Sequence, residues 1–287
     1  AEHETLTDPA VEDLLNEAES EVSSFTPEDQ RNLQLMRKKW AHQNALPADL
    51  AEARAHTENR GRLLHSQHYR SGDWGIMESW YTDSFRLARE AGEAKKDALG
   101  VPTAYDALVD QFSPGLSVAV IEREFTKLDR VMPGIVQDAM EIQRKTGTPL
   151  PLNGSFGVDD QMALNRIMAE AIGFDFKRGR LDSTQGHPSS GGMPDDARIT
   201  ARCHEDNFLP GLFAAVHEGG HGLYKQGQPA AWRFQPAGDD LGMAVHESQS
   251  MIIEYQACMT DECMDFIALK ANQIFGQDPS LTADNLI

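Results

Sequence analysis

Twelve residues constrain this chain more than any others: Phe213-Ala-Ala-Val-His217-Glu218-Gly219-Gly220-His221-Gly-Leu-Tyr224. Asn207 and Pro210 signal a helix start before them, and Gly227 signals a stop after them. Apolar residues at 212, 213, 216, 223 and 224 surround the segment. On an α-helix, residues four apart share a face, one turn above the other. His217 and His221 can therefore turn two imidazoles toward one metal ion. Glu218 lies about 100° round the helix, where it can reach a water on that ion without ligating it. Two neutral histidines and a carboxylate base are the geometry of a zinc hydrolase.

Gly219 and Gly220 lie in the interior of this helix, and each costs roughly 1 kcal/mol relative to Ala. Their presence implies that something approaches the helix backbone closely, either a ligand or a second helix at a buried crossing. A third metal ligand is expected from Glu247, in Ala244-Val-His246-Glu247-Ser248-Gln249-Ser250, 26 residues after His221. That gap accommodates a helix end at Gly227, a loop through Pro229 and Pro236, and an antiparallel return helix. Two His and one Glu with an open fourth position is a catalytic arrangement; a structural site closes the tetrahedron. An Asp four residues after Glu247 would brace a histidine ligand, but position 251 is Met, so that support is expected from elsewhere.

Composition narrows the remaining options. A net charge of −19 disfavours nucleic acid and anionic membranes as partners. No apolar run approaches the roughly 20 residues of a membrane span. Ala1-Glu-His-Glu-Thr carries no signal-peptide pattern. Three cysteines, Cys203, Cys258 and Cys263, form no CxxC pair, which suits a reduced, cytoplasmic protein.

The first half reads as successive helices. Asp8-Pro9 opens one, and Thr26-Pro27 opens an amphipathic run through Leu33, Leu35, Met36 and Trp40. Pro47 restarts a helix, and Gly72-Asp-Trp74 begins another with Trp80, Phe85 and Leu87 expected in the core. Ser113-Pro-Gly-Leu-Ser117 is a turn before a long run from Val118 to Lys145, which Pro133-Gly134 is expected to kink or break. His42, His56, His65 and His68 read as surface or internally satisfied histidines. A loop at 145–154 divides an N-terminal helical part, about 1–150, from a metal-site part, about 151–287. A helix from about Asp159 to Ile172 follows, then two short strands in Gly173–Asp182 and Ala197–Cys203 around a turn-rich loop, Ser183–Asp195. The edge of such a sheet could pair with an extended peptide and set its carbonyl over the metal; an ordinary hairpin covering the core is the alternative.

Four motifs in order now resemble one family, the M32 metallocarboxypeptidases (carboxypeptidase Taq family). His187-Pro188-Ser189 stands where the family has His-Pro-Phe, and Asp196-Ala-Arg198-Ile-Thr200 matches its Asp-x-Arg-x-Thr. His217 to His221 is its HExxH, and His246-Glu247-Ser248 its His-Glu-Ser. Ser189 departs from the family's Phe. The family's chains extend well beyond both ends, and its Gly-x-x-Gln-Asp-x-His-Trp stretch is absent, so the chain is expected to be part of one peptidase domain lacking the C-terminal part. The resemblance implies a mainly α, zincin-like metallopeptidase fold with a small β-sheet beside the HExxH helix. It implies a carboxypeptidase acting on peptides, with one divalent metal held by His217, His221 and Glu247. Zinc is the default, and cobalt or manganese would fit the same ligands. Glu218 would be the general base.

His187 and Arg198 lie in family motifs at the cleft, and His246 adjoins a ligand; these three are the substrate-binding candidates. An arginine suits a terminal carboxylate bidentately, although Asp195 or Asp196 could claim Arg198 instead. The family also implies a homodimer. Competing readings are an endopeptidase or dipeptidyl carboxypeptidase, a di-iron bundle, which would need a second Glu-x-x-His, and an inactive fragment that only binds metal or peptide.

Overall fold

A computed structural model describes residues 2–68 and 74–286. Two compact units result: Ala1–Lys127 with Phe234–Ala237, and Leu128–Arg233 with Gly238–Ile287. In chain order the first unit holds α1 (Glu2–Leu6), α2 (Pro9–Ser20), α3 (Pro27–Asn44), α4 (Ala48–His68), α5 (Trp74–Leu99) and α6 (Ala104–Phe112). Side-chain caps set several of these starts. Asp8 accepts from the Ala10 amide ahead of Pro9, and Thr26 from the Asp29 amide ahead of Pro27, satisfying donors that a helix start leaves open. Gly72 and Asp73, read as the approach to α5, lie outside the described residues. Leu87 is buried as expected, but Phe85 is 62 % exposed and stacks on Tyr81 at the surface. Trp80 is half-buried and donates its indole N–H to the Thr57 carbonyl at 2.8 Å.

The polar centre of this unit is Asp110. It accepts from Lys38 Nζ at 2.7 Å, the Gly115 amide at 2.9 Å and His42 Nε2 at 2.9 Å. His42, read as a surface or satisfied histidine, is buried and pairs through Nε2 alone; its Nδ1 has no hydrogen-bond partner. Burial pushes the Asp110 carboxyl up, but the bonds from Lys38, Gly115 and His42 outweigh it and hold the group below the ordinary carboxylate range.

A long helix, α7 (Val118–Thr146), passes from one unit into the next. Of the kink or break expected at Pro133, the break does not occur: the helix continues through it. None of its residues is buried, so the carbonyl that loses its partner to the proline ring can turn to water.

The second unit positions the HExxH segment. It contains α8 (Val158–Ala171), β1 (Gly179–Ser183), β2 (Ser190–Met193), β3 (Asp196–Ala201), α9 (Leu209–Gln226), α10 (Met243–Met251), a π-helical turn at Ile252–Ala257, α11 (Asp261–Phe275) and α12 (Ala283–Leu286). Helices α8, α9 and α11 enclose a core of Leu164, Met168, Leu212, Val216, Met264 and Ile267. Each such side chain stabilises the unit by about 1.5–3 kcal/mol relative to exposure. Phe156, Phe208 and Phe275 close one end with ring centroids 4.9–5.1 Å apart. Gln161 ties the entry to α9, its amide donating to the carbonyls of Phe156 and His204.

The sheet differs from the two-stranded expectation. It has three strands in the order β1-β3-β2, with β1 parallel and β2 antiparallel to β3. It is therefore neither a two-stranded sheet nor a simple hairpin, and β2 lies within the segment expected to be only a loop. Gly173–Arg178 is not strand. Gly173 sits at φ 99° and ends α8, with the Phe174 amide bonded to the Ala169 carbonyl and its own to Glu170; this closure needs a left-handed residue, which glycine supplies. Along β3, Ala197, Ile199 and Ala201 are buried while Asp196 and Arg198 are exposed, the period-2 alternation of a strand with one covered face. Ile199 packs against α9 at Gly222.

Helices α9 and α10 cross at Gly220. A Cβ there would lie 2.6 Å from Ser250 Cα and 2.9 Å from the Gln249 carbonyl oxygen, both backbone atoms. A Cβ on Gly219 would meet only the Ile172 side chain, with Cδ1 at 2.7 Å. The close approach implied by the two glycines is thus a helix crossing at Gly220. Its direction follows from the contacts: His246 lies against His221 and Tyr224, Ser250 against Gly220, and Glu254 against His217. The helices are antiparallel.

Gly220→Ala should destabilise the chain by about 1–3 kcal/mol in urea unfolding, because backbone on α10 must move. Gly219→Ala should cost less, since the Ile172 side chain can rotate away; equal costs would contradict the crossing. Asp110→Asn should cost about 1.5–3 kcal/mol at neutral pH. Because the folded pKa of Asp110 is depressed, its contribution is present above the unfolded carboxylate pKa and lost as pH falls through the folded value. The gap between wild type and variant should therefore narrow in acid.

Candidate metal centre

The antiparallel crossing brings one face of α9 against one face of α10. His217 and His221 stand one turn apart on α9, with ring centroids 4.8 Å apart. Glu247 reaches them from α10. Its Oε2 lies 3.4 Å from His217 Nε2 and 3.5 Å from His221 Nε2. Ligand atoms of the three residues all fall within 4.8 Å of one another, and no other such cluster occurs among the described residues.

These separations fit a metal better than direct contact. At 3.4–3.5 Å a histidine–carboxylate pair is too far apart for a strong hydrogen bond. Donors at 2.0–2.2 Å from a tetrahedral ion stand about 3.3–3.6 Å apart, the edge of that tetrahedron. Two imidazole nitrogens and one carboxylate oxygen leave one tetrahedral position open. The chain therefore presents a His/His/Glu site for one divalent metal.

Protonation favours the same use. His221 is 5 % exposed. Burial, with help from the neighbouring His246 and His217 rings, pulls its pKa down to about 4. It is neutral at physiological pH, with a lone pair available to a metal. Its ring stacks on His246 at 4.1 Å and 19°. The other nitrogen of His217, Nδ1, is 2.8 Å from Glu254 Oε2.

Glu218 is 6 % exposed and belongs to the same turn of α9. Burial raises its pKa, the His217 and His187 rings oppose the rise, and the Glu247 carboxylate adds to it. A carboxyl raised toward neutrality is suited to taking and returning a proton.

The remaining candidates are distributed as follows. His187 sits exposed in the loop between β1 and β2, close enough to Glu218 to favour its anion. His246 lies behind His221 and is 3.8 Å from Asp240, which also accepts from Lys225 at 3.0 Å. Arg198 is 61 % exposed on its side chain and holds Asp196 at 2.7 Å, on the strand face opposite the one packed against α9. It is not gathered into the metal cluster. The pairing with Asp196 weighed from the sequence is the one that forms.

Glu254 was not picked out from the sequence. A search four residues beyond Glu247 meets Met251, but seven residues, two full turns, also returns to the same helix face. Glu254 is that residue.

Comparison with known proteins agrees with this geometry. The family description "Carboxypeptidase Taq (M32) metallopeptidase" matches residues 1–287. A thermostable carboxypeptidase 1 from Thermus thermophilus is 30 % identical over 257 residues, 86 % of this chain and 50 % of that protein. Trypanosoma cruzi metallocarboxypeptidase 1 superposes with a TM-score of 0.91 at 30 % identity, over 99 % of this chain and 57 % of that one. An M32 carboxypeptidase from Deinococcus radiodurans shares the fold, with a TM-score of 0.84 at 24 % identity over 99 % of this chain and 56 % of that one. The chain spans about half the length of the relatives it matches. Its mainly helical architecture, with a small sheet beside the HExxH helix, is a zincin-like peptidase fold. Fold, metal-site geometry and a match over every residue agree, and the chain belongs to the M32, or carboxypeptidase Taq, family of metallopeptidases.

Proposed function

We propose that this chain carries the metal site and general base of a zinc carboxypeptidase that removes residues from the C-termini of peptides. The observation that supports this most is the convergence of His217, His221 and Glu247, with Glu247 Oε2 at a tetrahedral edge length from both Nε2 atoms, beside a buried glutamate. The printed names of the relatives, carboxypeptidase and metallocarboxypeptidase, support the exopeptidase reading. Zinc suits this donor set first, and cobalt or manganese would also fit.

When bound, such an ion acidifies water and polarises a carbonyl. The chain's own residues supply the rest. Glu218 takes a proton from the attacking water and returns it to the leaving amine. His221, kept neutral by burial, and His217 would hold the ion together with Glu247. His187 and His246 flank this centre and are assigned to substrate. Arg198 would contact a terminal carboxylate only by exchanging its present partner, Asp196. Among the described residues no helix is long and apolar enough to cross a membrane. The free cysteines and the family suit a cytoplasmic homodimer acting on soluble peptides.

Glu218→Gln should keep metal content and unfolding midpoint while kcat falls by at least about 10²-fold, the loss expected for a general base. Normal turnover by this variant would remove Glu218 from the mechanism. Full-length enzyme should shorten peptides from the C-terminus and stall on C-terminally amidated ones. Amidation removes the charge an exopeptidase must pair, at a cost of about 2–4 kcal/mol in the transition state. Equal cleavage of amidated and free peptides at internal bonds would instead indicate an endopeptidase.

A further inference from the structure

Beyond Met251, α10 changes its winding. Over Ile252–Ala257 the backbone adopts a π-helical turn, in which the Cys258 amide bonds the Ile253 carbonyl five residues back, at 2.9 Å. Such turns are rare inside α-helices and occur frequently at functional sites. Glu254 lies in this turn, and its side chain is only 14 % exposed. Its Oε2 accepts from His217 Nδ1 at 2.8 Å.

The consequence is a choice of tautomer. A neutral imidazole carries one proton, and a carboxylate at Nδ1 holds it there. Nε2 is then the lone-pair nitrogen, and Nε2 is the atom that faces Glu247. The same bond fixes rotation of a ring that is otherwise partly open, its side chain being 27 % exposed. His221 needs no such brace, because burial and its stack on His246 already hold it. Only one of the two histidines therefore depends on an acid for its orientation.

We propose that Glu254 is a positioning residue, which fixes the Nδ1–H tautomer and the ring angle of His217 so that Nε2 is presented to the metal. The proposal rests on the metal-site reading above. It assigns the π turn the task of carrying this acid to α9 from the same helix that supplies Glu247.

The test compares the wild-type chain with Glu254→Ala, Glu254→Gln and His221→Ala. Zinc affinity is read by competition with a chromophoric chelator, and geometry from the visible absorption of the cobalt-loaded chain. The His217 tautomer in metal-free protein is read from long-range proton–nitrogen NMR correlations of the imidazole. Glu254→Ala should weaken zinc binding about 10–100-fold, the usual effect of losing such a partner. It should also change the cobalt spectrum and convert His217 to mixed tautomers. Glu254→Gln keeps an acceptor oxygen and should recover much of all three. If the alanine variant fails to fold, the wild-type tautomer and the glutamine variant decide. A wild-type His217 with its proton on Nε2 would overturn the proposal, as would a folded Glu254→Ala with wild-type affinity and spectrum. His221→Ala separates the two levels. If it loses zinc while Glu254→Ala does not, only the role of Glu254 fails. If it binds zinc as tightly as wild type, the metal-site reading fails and Glu254 with it.

Discussion

The contact on which the site depends is a backbone approach. At Gly220, α9 comes so near to Ser250 on α10 that a single methyl group would overlap the α10 main chain. That closeness sets the reach of every side chain across the interface. Glu247 stands one turn before Ser250 and Glu254 one turn after it, so the crossing delivers one carboxylate to each nitrogen of His217. Moving the helices apart by the width of a methyl group would open the donor separations beyond the edge of a metal tetrahedron.

Helix α9 is an unfavourable helix by propensity alone. Gly219, Gly220 and Gly222 each cost it roughly 1 kcal/mol relative to Ala. Packing compensates: Leu212, Ala215 and Val216 are buried in the core, and Gly222 lets Phe174 and Ile199 close in. The chemistry then occupies what the core leaves over. Low dielectric around His221 keeps it neutral, and the same burial raises Glu218. A neutral histidine and a carboxyl with a raised pKa thus arise from one cause, the desolvation of a helix face that also supports the fold.

Local signals carried much of this in the sequence. The caps at Asp8 and Thr26, the stop at Gly227 and the spacing of the two histidines each depend on residues within a turn or two, and the structure has those elements. The close approach at Gly219-Gly220 was legible as a need, although which of its two causes applied was not. Long-range features were not legible. The parallel pairing of β1 with β3 and the presence of β2 depend on partners distant in the chain, and Gly173 ends a helix where apolar neighbours suggested a strand. Proline 133 lies on a helix with no buried residue, so its missing donor has no buried consequence. Glu254 stands two turns beyond Glu247 rather than one, in a π turn, so an i+4 spacing does not reach it.

The central claim is that two helices, locked at Gly220, assemble a three-donor site open on one side. X-ray absorption at the zinc edge of the metal-loaded chain tests it most directly. One zinc per chain is expected, with a first shell of nitrogen and oxygen only, at about 2.0–2.2 Å. Two imidazoles are expected in the outer-shell scattering, and one light atom fewer in the first shell when Glu247 is replaced by Ala. A sulfur scatterer near 2.3 Å, from any of the three cysteines, or a first shell unchanged by that replacement, would contradict it.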